Sequence, residues 1–334
     1  MFKIDKKLLT TFLIIVYLIS FIYNNKLYLL ILLLHYKKTV PWFSEKSMDK
    51  KKIQKENTEW MSYLNDSIDI RQLSIPGTHD SCASEFICKP YQLWWANFMS
   101  QCQIWPIEDQ LFSGIRYFDL RPSGNGIIYH GAHQTKYNFK QIFEIYKNFL
   151  LNHPSEGLIV RVQFQYKNCG DNIDKSKEKA IYEVLDHYDE FLYRDNNAPT
   201  IGQLRKKIYV ILENLEYKNL LIWNDNDLIE LQDYFRLFGI RKFEFDKKKD
   251  LVRKYMHNKD INKLIINHCS AIGRGVLTTL KYVAYCINEA PFKENGLRGI
   301  FALDFPGEEL INHIINQNKL QNILENKLEN KLYD

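Results

Sequence analysis

Residues 74–80 read SIPGTHD and set an imidazole, His79, beside a carboxylate, Asp80. Pro76 and Gly77 read as a turn, which needs nothing more than those two residues. The His-Asp pair is surplus to folding. GIRYFDLRP, residues 114–122, ends an apolar run with Asp119 and Arg121. They are two positions apart and so share one side of a strand, while Arg116 faces away. IIYHG, residues 127–131, ends a shorter run with His130, and His133 follows. Two histidines can divide general base and general acid work near neutral pH. Asp80 can orient one of them, and Arg121 can bind a phosphoryl oxygen and stabilise developing negative charge. Two histidines, carboxylates and an arginine make a phosphodiester-cleaving set that needs no metal. A metal site would hold further carboxylates in place of the arginine. Singly, each residue has a plain structural role open to it: Asp80 as a helix cap, Asp119 with Arg121 as an ion pair, His130 as a turn residue. Together, at three strand ends, they favour chemistry.

Elements of matching type surround these stretches. Short apolar, β-branched runs recur at 71–75, 114–120, 157–164, 207–212, 262–267 and 298–304, with helical spacing between them, as at 138–151 and 174–193. This alternation predicts parallel strands with helical crossovers. The fold class expected is α/β, an irregular (β/α) barrel, whose strand ends would gather the three segments at one mouth. A doubly wound sheet is the rival, but no G-x-G-x-x-G follows any of the strands. The expected organisation is an apolar membrane segment over 1–36, a Lys-rich linker over 37–59, a catalytic barrel over 60–312 and an amphipathic helix over 313–334.

The 334 residues carry a net charge of +5, unevenly distributed. Residues 1–60 hold 11 Lys against 5 acidic residues, a net +6, which leaves −1 for the remainder. A nearly neutral body disfavours a nucleic-acid-binding face. Residues 8–23, LLTTFLIIVYLISFIY, carry no charge, and LYLLILLLHY follows at 27–36. With Lys3, Lys6 and Lys7 ahead of it, this stretch reads first as an uncleaved anchor or membrane hairpin and second as a cleaved signal peptide. The expected localisation is at a membrane through this segment, on a side left open, and the lysines at 37–56 can bind anionic head groups. The six cysteines form no C-x-x-C pair, so a structural zinc site is not expected and mostly free thiols are.

SIPGTHDS, EDQLFSGIRYFDLRP and YHG, in that order, resemble the X domain of phosphatidylinositol-specific phospholipases C, above all the small X-domain-only proteins and the bacterial enzymes. The resemblance implies a distorted TIM barrel that cleaves phosphatidylinositol to diacylglycerol and a cyclic inositol phosphate. It implies His79 as general base, His130 as general acid, Arg121 on the phosphate and Asp80 in support of the acid. Asp304, in GIFALDFPG, fits the aspartate that orients the base. The calcium-dependent branch has an acidic residue in place of Arg121 and an asparagine in place of Asp80, so no metal and no cofactor are expected here. Asp119, Gln163 and Asn214 join Arg121 as the substrate-binding side. Gln163 and Gln165 stand where the bacterial enzymes use a lysine and carboxylates, and Glu213 and Asn214 where they use an arginine, so recognition of the inositol must differ. The roles of Asn267 and His268 are open. The expected partners are phosphatidylinositol or a related inositol lipid and a membrane; protein partners are unknown. The alternatives are an inactive barrel that binds lipid or a partner, and a phosphodiesterase for a related lipid such as a glycosylated one.

Overall fold

The computed structural model describes residues 55–87, 100–165, 178–225, 227–237, 242–273 and 280–319. Eight strands form one all-parallel sheet, numbered here in chain order among twelve: β1 (Ser74–Thr78), β2 (Tyr117–Leu120), β5 (Leu158–Gln163), β6 (Ile208–Glu213), β7 (Leu221–Ile222), β8 (Ile229–Gln232), β10 (Leu264–His268) and β12 (Gly299–Leu303). Their order is β7-β6-β5-β2-β1-β12-β10-β8, so the sheet curls with β1 beside both β2 and β12. β3 (Ile127–His130) pairs antiparallel with β4 (His133–Asn138) as a separate hairpin, and β9 (Arg236–Leu237) pairs with β11 (Ile272–Gly273).

Helices fill the crossovers: α1 (Ile107–Phe112), α2 (Phe139–Asn152), α3 (Lys179–His187), α4 (Ile201–Leu204), α5 (Lys242–Met256) and α6 (Leu280–Lys293). α2 shows how the sequence writes such an element. Asn138 accepts from the Gln141 amide while the Gln141 side chain accepts from the Asn138 amide, a reciprocal cap. From there Phe139, Ile142, Phe143, Tyr146, Phe149 and Leu150 repeat at helical spacing and are buried against the sheet. Among the described residues no helix lies between β6 and β8, and no ladder joins β7 to β8. The sheet opens there.

Six of the strands fall on the expected runs. β8 was not anticipated, because IELQ has too little apolar character to stand out. Pro76 and Gly77 are not a turn. They lie inside the fully buried β1. The Pro76 carbonyl accepts from the Arg116 amide, and a Cβ at Gly77 would sit 2.7 Å from the Tyr117 side chain. Gly77 is therefore what lets β2 approach β1 closely.

The expectation of a membrane-associated protein held by an N-terminal span is corrected. No helix among the described residues is long and apolar enough to cross a membrane; the helices bury one face and wet the other, as α2 does. Residues 1–36, most of the Lys-rich linker, and the amphipathic helix beyond residue 319 lie outside the described residues. Cys82, Cys102, Cys269 and Cys286 are free thiols.

Candidate active site

The carboxyl ends of β1, β2 and β12 deliver the site. At the end of β1 the chain turns abruptly: Asp80 adopts φ +42°, a left-handed conformation that only surrounding contacts can hold. Those contacts are specific. The His79 amide donates to the Leu303 carbonyl at 3.0 Å and the Ser81 amide to the Asp119 carbonyl at 3.0 Å. Buried Gln103 donates to the carbonyls of His79 and Leu303. Ser81 Oγ accepts from the Asp119 amide at 2.8 Å. On β12, Asp304 is followed by Phe305 at φ +46°, a second left-handed turn at the neighbouring strand end.

These turns bring the expected residues together. His79 Nδ1 lies 2.8 Å from Asp304 Oδ1. Its Nε2 lies 2.8 Å from Arg121 Nη2. A guanidinium can only donate, so Nε2 carries a lone pair and Nδ1 the proton that goes to Asp304. This is the tautomer a general base needs, held as in an acid-histidine couple. Asp80 Oδ2 lies 3.2 Å from Nε2 of both His79 and His130, and Asp80 Oδ1 lies 2.8 Å from Arg121 Nε. His130 Nδ1 is 2.6 Å from the Ser100 carbonyl. His130 does not end a sheet strand as expected. It ends β3 of the hairpin, which is tied down by the Tyr129 amide donating to the Arg121 carbonyl at 3.1 Å.

Burial would lower the His79 pKa, but the charges of Asp304 and Asp80, with the hydrogen bond to Asp304, outweigh it and leave it above the ordinary value. Burial would also neutralise Arg121, yet Asp119 and Asp80 hold its cation still more firmly than usual.

Asp119, expected on the substrate-binding side, is buried within β2. Its side chain has no exposed surface. It meets Arg121 Nη2 at 3.0 Å, Arg161 Nη1 at 3.1 Å and the Asp80 amide at 3.3 Å. Burial opposes its charge, but Arg121 and Arg161 hold its carboxyl far below the usual range. Gln163, half-buried, donates to Glu213 Oε1 at 2.8 Å and accepts from Gln165 at 3.1 Å. Asn214 is exposed just past β6 at φ +62°. Both stand at the β5–β6 side of the same strand ends.

Two residues carry more than the sequence suggested. Arg161, inside LIVRVQ, reads as an interruption in a core strand. It bridges Asp119 to Glu213 and stacks 4.1 Å over the Trp223 ring. The register pairs Asp119 with Arg161 and Gln163 with Glu213 across β2, β5 and β6, which no single-strand pattern shows. His268 ends β10 with its ring 5.7 Å from that of His79. Neither of its nitrogens has a hydrogen-bond partner. Burial, then Arg161 and His79, push its pKa well down, so it is a neutral ring.

Comparison with known proteins gives a consistent result. Residues 73–214 match the family described as "Phosphatidylinositol-specific phospholipase C, X domain". A 1-phosphatidylinositol phosphodiesterase of Listeria monocytogenes is 30% identical over 288 residues, covering 78% of this chain and 85% of that protein. A protein of the same description from Staphylococcus aureus strain Newman is 22% identical over 308 residues, 80% of this chain and 96% of its own. Among solved structures, the phosphatidylinositol-specific phospholipase C from Listeria monocytogenes superposes with a TM-score of 0.67 at 26% identity, covering 78% of this chain and 98% of that one. The F249X mutant of the Staphylococcus aureus enzyme superposes at 0.64 and 19% identity over 80% of this chain and 99% of its own, a likeness of fold.

Proposed function

Because the chain belongs to the phosphatidylinositol-specific phospholipase C X-domain family, we propose that it is a distorted TIM-barrel phosphodiesterase. It cleaves phosphatidylinositol-type lipids to diacylglycerol and an inositol cyclic phosphate, without a metal. One observation carries this reading: a single carboxylate, Asp80, lies 3.2 Å from Nε2 of both histidines while Arg121 pairs with its other oxygen.

In this reading His79 Nε2 takes the proton of the inositol 2-hydroxyl and Asp304 steadies the resulting imidazolium. The deprotonated oxygen attacks phosphorus, His130 Nε2 protonates the departing diacylglycerol oxygen, and the five-membered cyclic phosphate is released. The roles then reverse if water opens the ring. Arg121 holds the non-bridging oxygens and gains most as negative charge builds on them. Its Nη2 lies on the lone pair of His79, so the incoming hydroxyl takes that lone pair as the guanidinium turns to the phosphate. Gln163 and Asn214 are assigned to the head-group wall.

The rim supports a lipid substrate. Ile87, Ile222, Phe235 and Ile272 are exposed apolar side chains, all at or beyond carboxyl strand ends. Phe235 and Ile272 are neighbours, joined by the Ile272 amide donating to the Phe235 carbonyl at 2.7 Å. The test is phosphorus NMR of phosphatidylinositol vesicles incubated with the full chain. A cyclic inositol phosphate signal preceding any monoester supports the reading. Phosphatidic acid as the first product, or no turnover of any inositol lipid, refutes it.

A further inference from the structure

One buried cation has no part in the acid–base set. Lys248, on α5, is fully buried. Its Nζ donates to the His268 carbonyl at 2.6 Å and to Gln232 Oε1 at 3.0 Å. Among the described residues no carboxylate pairs with it, whereas Lys249, next along the helix, reaches Glu289 at 3.2 Å. Burial pushes the Lys248 pKa down to about 8, although Cys269, Asp233 and Asp304 act in the other direction. At neutral pH such a cation lowers the stability of the fold, because water solvates it better than two neutral oxygens do.

The fold does not need those two bonds. The His268 carbonyl also accepts from Gln232 Nε2 at 3.0 Å, and Gln232 Oε1 also accepts from the Tyr234 amide at 2.8 Å. Removing the ammonium orphans neither oxygen. What the ammonium holds is the carboxyl end of β10. The ladder between β8 and β10 stops at Gln232 opposite Asn267, one residue short of His268. Alternation along β10 turns His268 to the same side as Leu264 and Ile266, which pack with Ile75 and Ile300 inside the curl of the sheet. There its ring meets the rings of His79 and Trp223 nearly at right angles, at 5.7 and 5.8 Å. With no hydrogen bond to either nitrogen, the His268 ring is placed by its backbone and its packing alone. His79 in turn is gripped at its two nitrogens, Nδ1 by Asp304 and Nε2 by Arg121. Grips at those two points leave rotation about the line between them to be stopped by a third contact, and His268 is in place to make it.

We propose that Lys248 is a positioning residue for phosphodiester cleavage, acting through His268: it clamps the end of β10 so that the His268 ring stops His79 from turning about that line. The effect on rate rests on the phospholipase reading; the effect on the His79 ring does not.

The full chain is compared with Lys248→Met, His268→Ala and the double variant by kcat and KM on phosphatidylinositol vesicles, by denaturant titration and by nitrogen NMR of the histidine rings. Methionine fills the space of the lysine stem without a charge. Rate and stability should move in opposite directions. Lys248→Met should unfold at a higher denaturant midpoint at pH 7, yet lose about 10²-fold in kcat, the loss that a misplacement of ~1 Å brings, at unchanged KM. A lysine whose native pKa lies below its unfolded value of 10.5 gains stability as pH rises between the two, so the midpoint difference should shrink above about pH 8. The double variant should lose no more rate than His268→Ala, because the lysine acts through that ring, and the His79 ring signals should move in all three variants. A lower midpoint with unchanged kcat would make Lys248 a fastener and overturn the proposal, as would losses that add in the double variant. If none of the proteins turns over lipid, the NMR decides: His79 signals that move in Lys248→Met as they do in His268→Ala sustain the positioning role, and signals that stay in place overturn it.

Discussion

Arg116 and Arg121 lie five positions apart on either side of one strand and have opposite fates. Arg116, just ahead of β2, is fully buried. It donates to Glu156 and to the carbonyls of Thr58, Leu111 and Ile115, and Glu156 also accepts from the Met61 amide. Its charge is spent on closing the amino end of the sheet against residues 58–61. Burial lowers its pKa despite Glu156. Arg121, just past β2, retains 19% exposure of its side chain, pairs with Asp80 and Asp119, and shares His79 with whatever takes that lone pair. Its acidic neighbours outweigh burial. A buried arginine whose donors end on backbone carbonyls and on one carboxylate as buried as itself is a fastener. One whose donors end on titratable side chains, with a way out to solvent, is a working cation.

Breaking the working end costs most in rate. His79→Ala or His130→Ala should lower kcat by ~10³-fold while thermal unfolding stays close to wild type, the span general acid–base groups supply. A crossed pair of arginine variants sharpens the contrast. Arg121→Lys should lower kcat/KM by ~10²-fold or more, because an ammonium cannot reach Asp80, Asp119 and phosphate together. Arg116→Met should cost ~3–5 kcal/mol in denaturant titrations and leave kcat of the folded protein near wild type. If both variants lose rate and stability alike, the distinction fails. Asp304→Asn should cost ~10²-fold or more in kcat and move the acid limb of kcat/KM. His79 must be neutral to accept a proton, and the Asp304 charge raises its pKa. Removing that charge therefore shifts the limb to lower pH. The smallest effect belongs to the rim. Phe235→Ala with Ile272→Ala should weaken activity on vesicles by about tenfold or less, from the apolar area lost, and leave activity on a short-chain soluble lipid unchanged.

Residues that work in pairs along one segment were legible in the sequence. His79 with Asp80, and Arg121 with Asp119, stood out because charge at a strand end has no packing purpose. Asp304 was reached only through the family resemblance, which a lone aspartate closing the last apolar run fits. What was not legible depends on register. Arg161 meets Asp119 only because β2 and β5 align those positions, and His268 meets His79 only because β10 and β12 bring β1 within reach. Pro76 and Gly77 misled because their usual turn meaning yields to the close approach of Tyr117. His130 does reach Asp80, but its short run is a hairpin strand, and a four-residue apolar run does not say which sheet it joins.

The most direct test of the central claim is release of water-soluble inositol phosphate from phosphatidylinositol vesicles by the full chain, with EDTA and with added calcium, beside His79→Ala and Arg121→Ala. Activity that is undiminished by EDTA, gains nothing from calcium and is lost in both variants is the predicted result. Activity that requires calcium, or that survives Arg121→Ala, would show that the guanidinium does not carry the phosphate and would contradict the account.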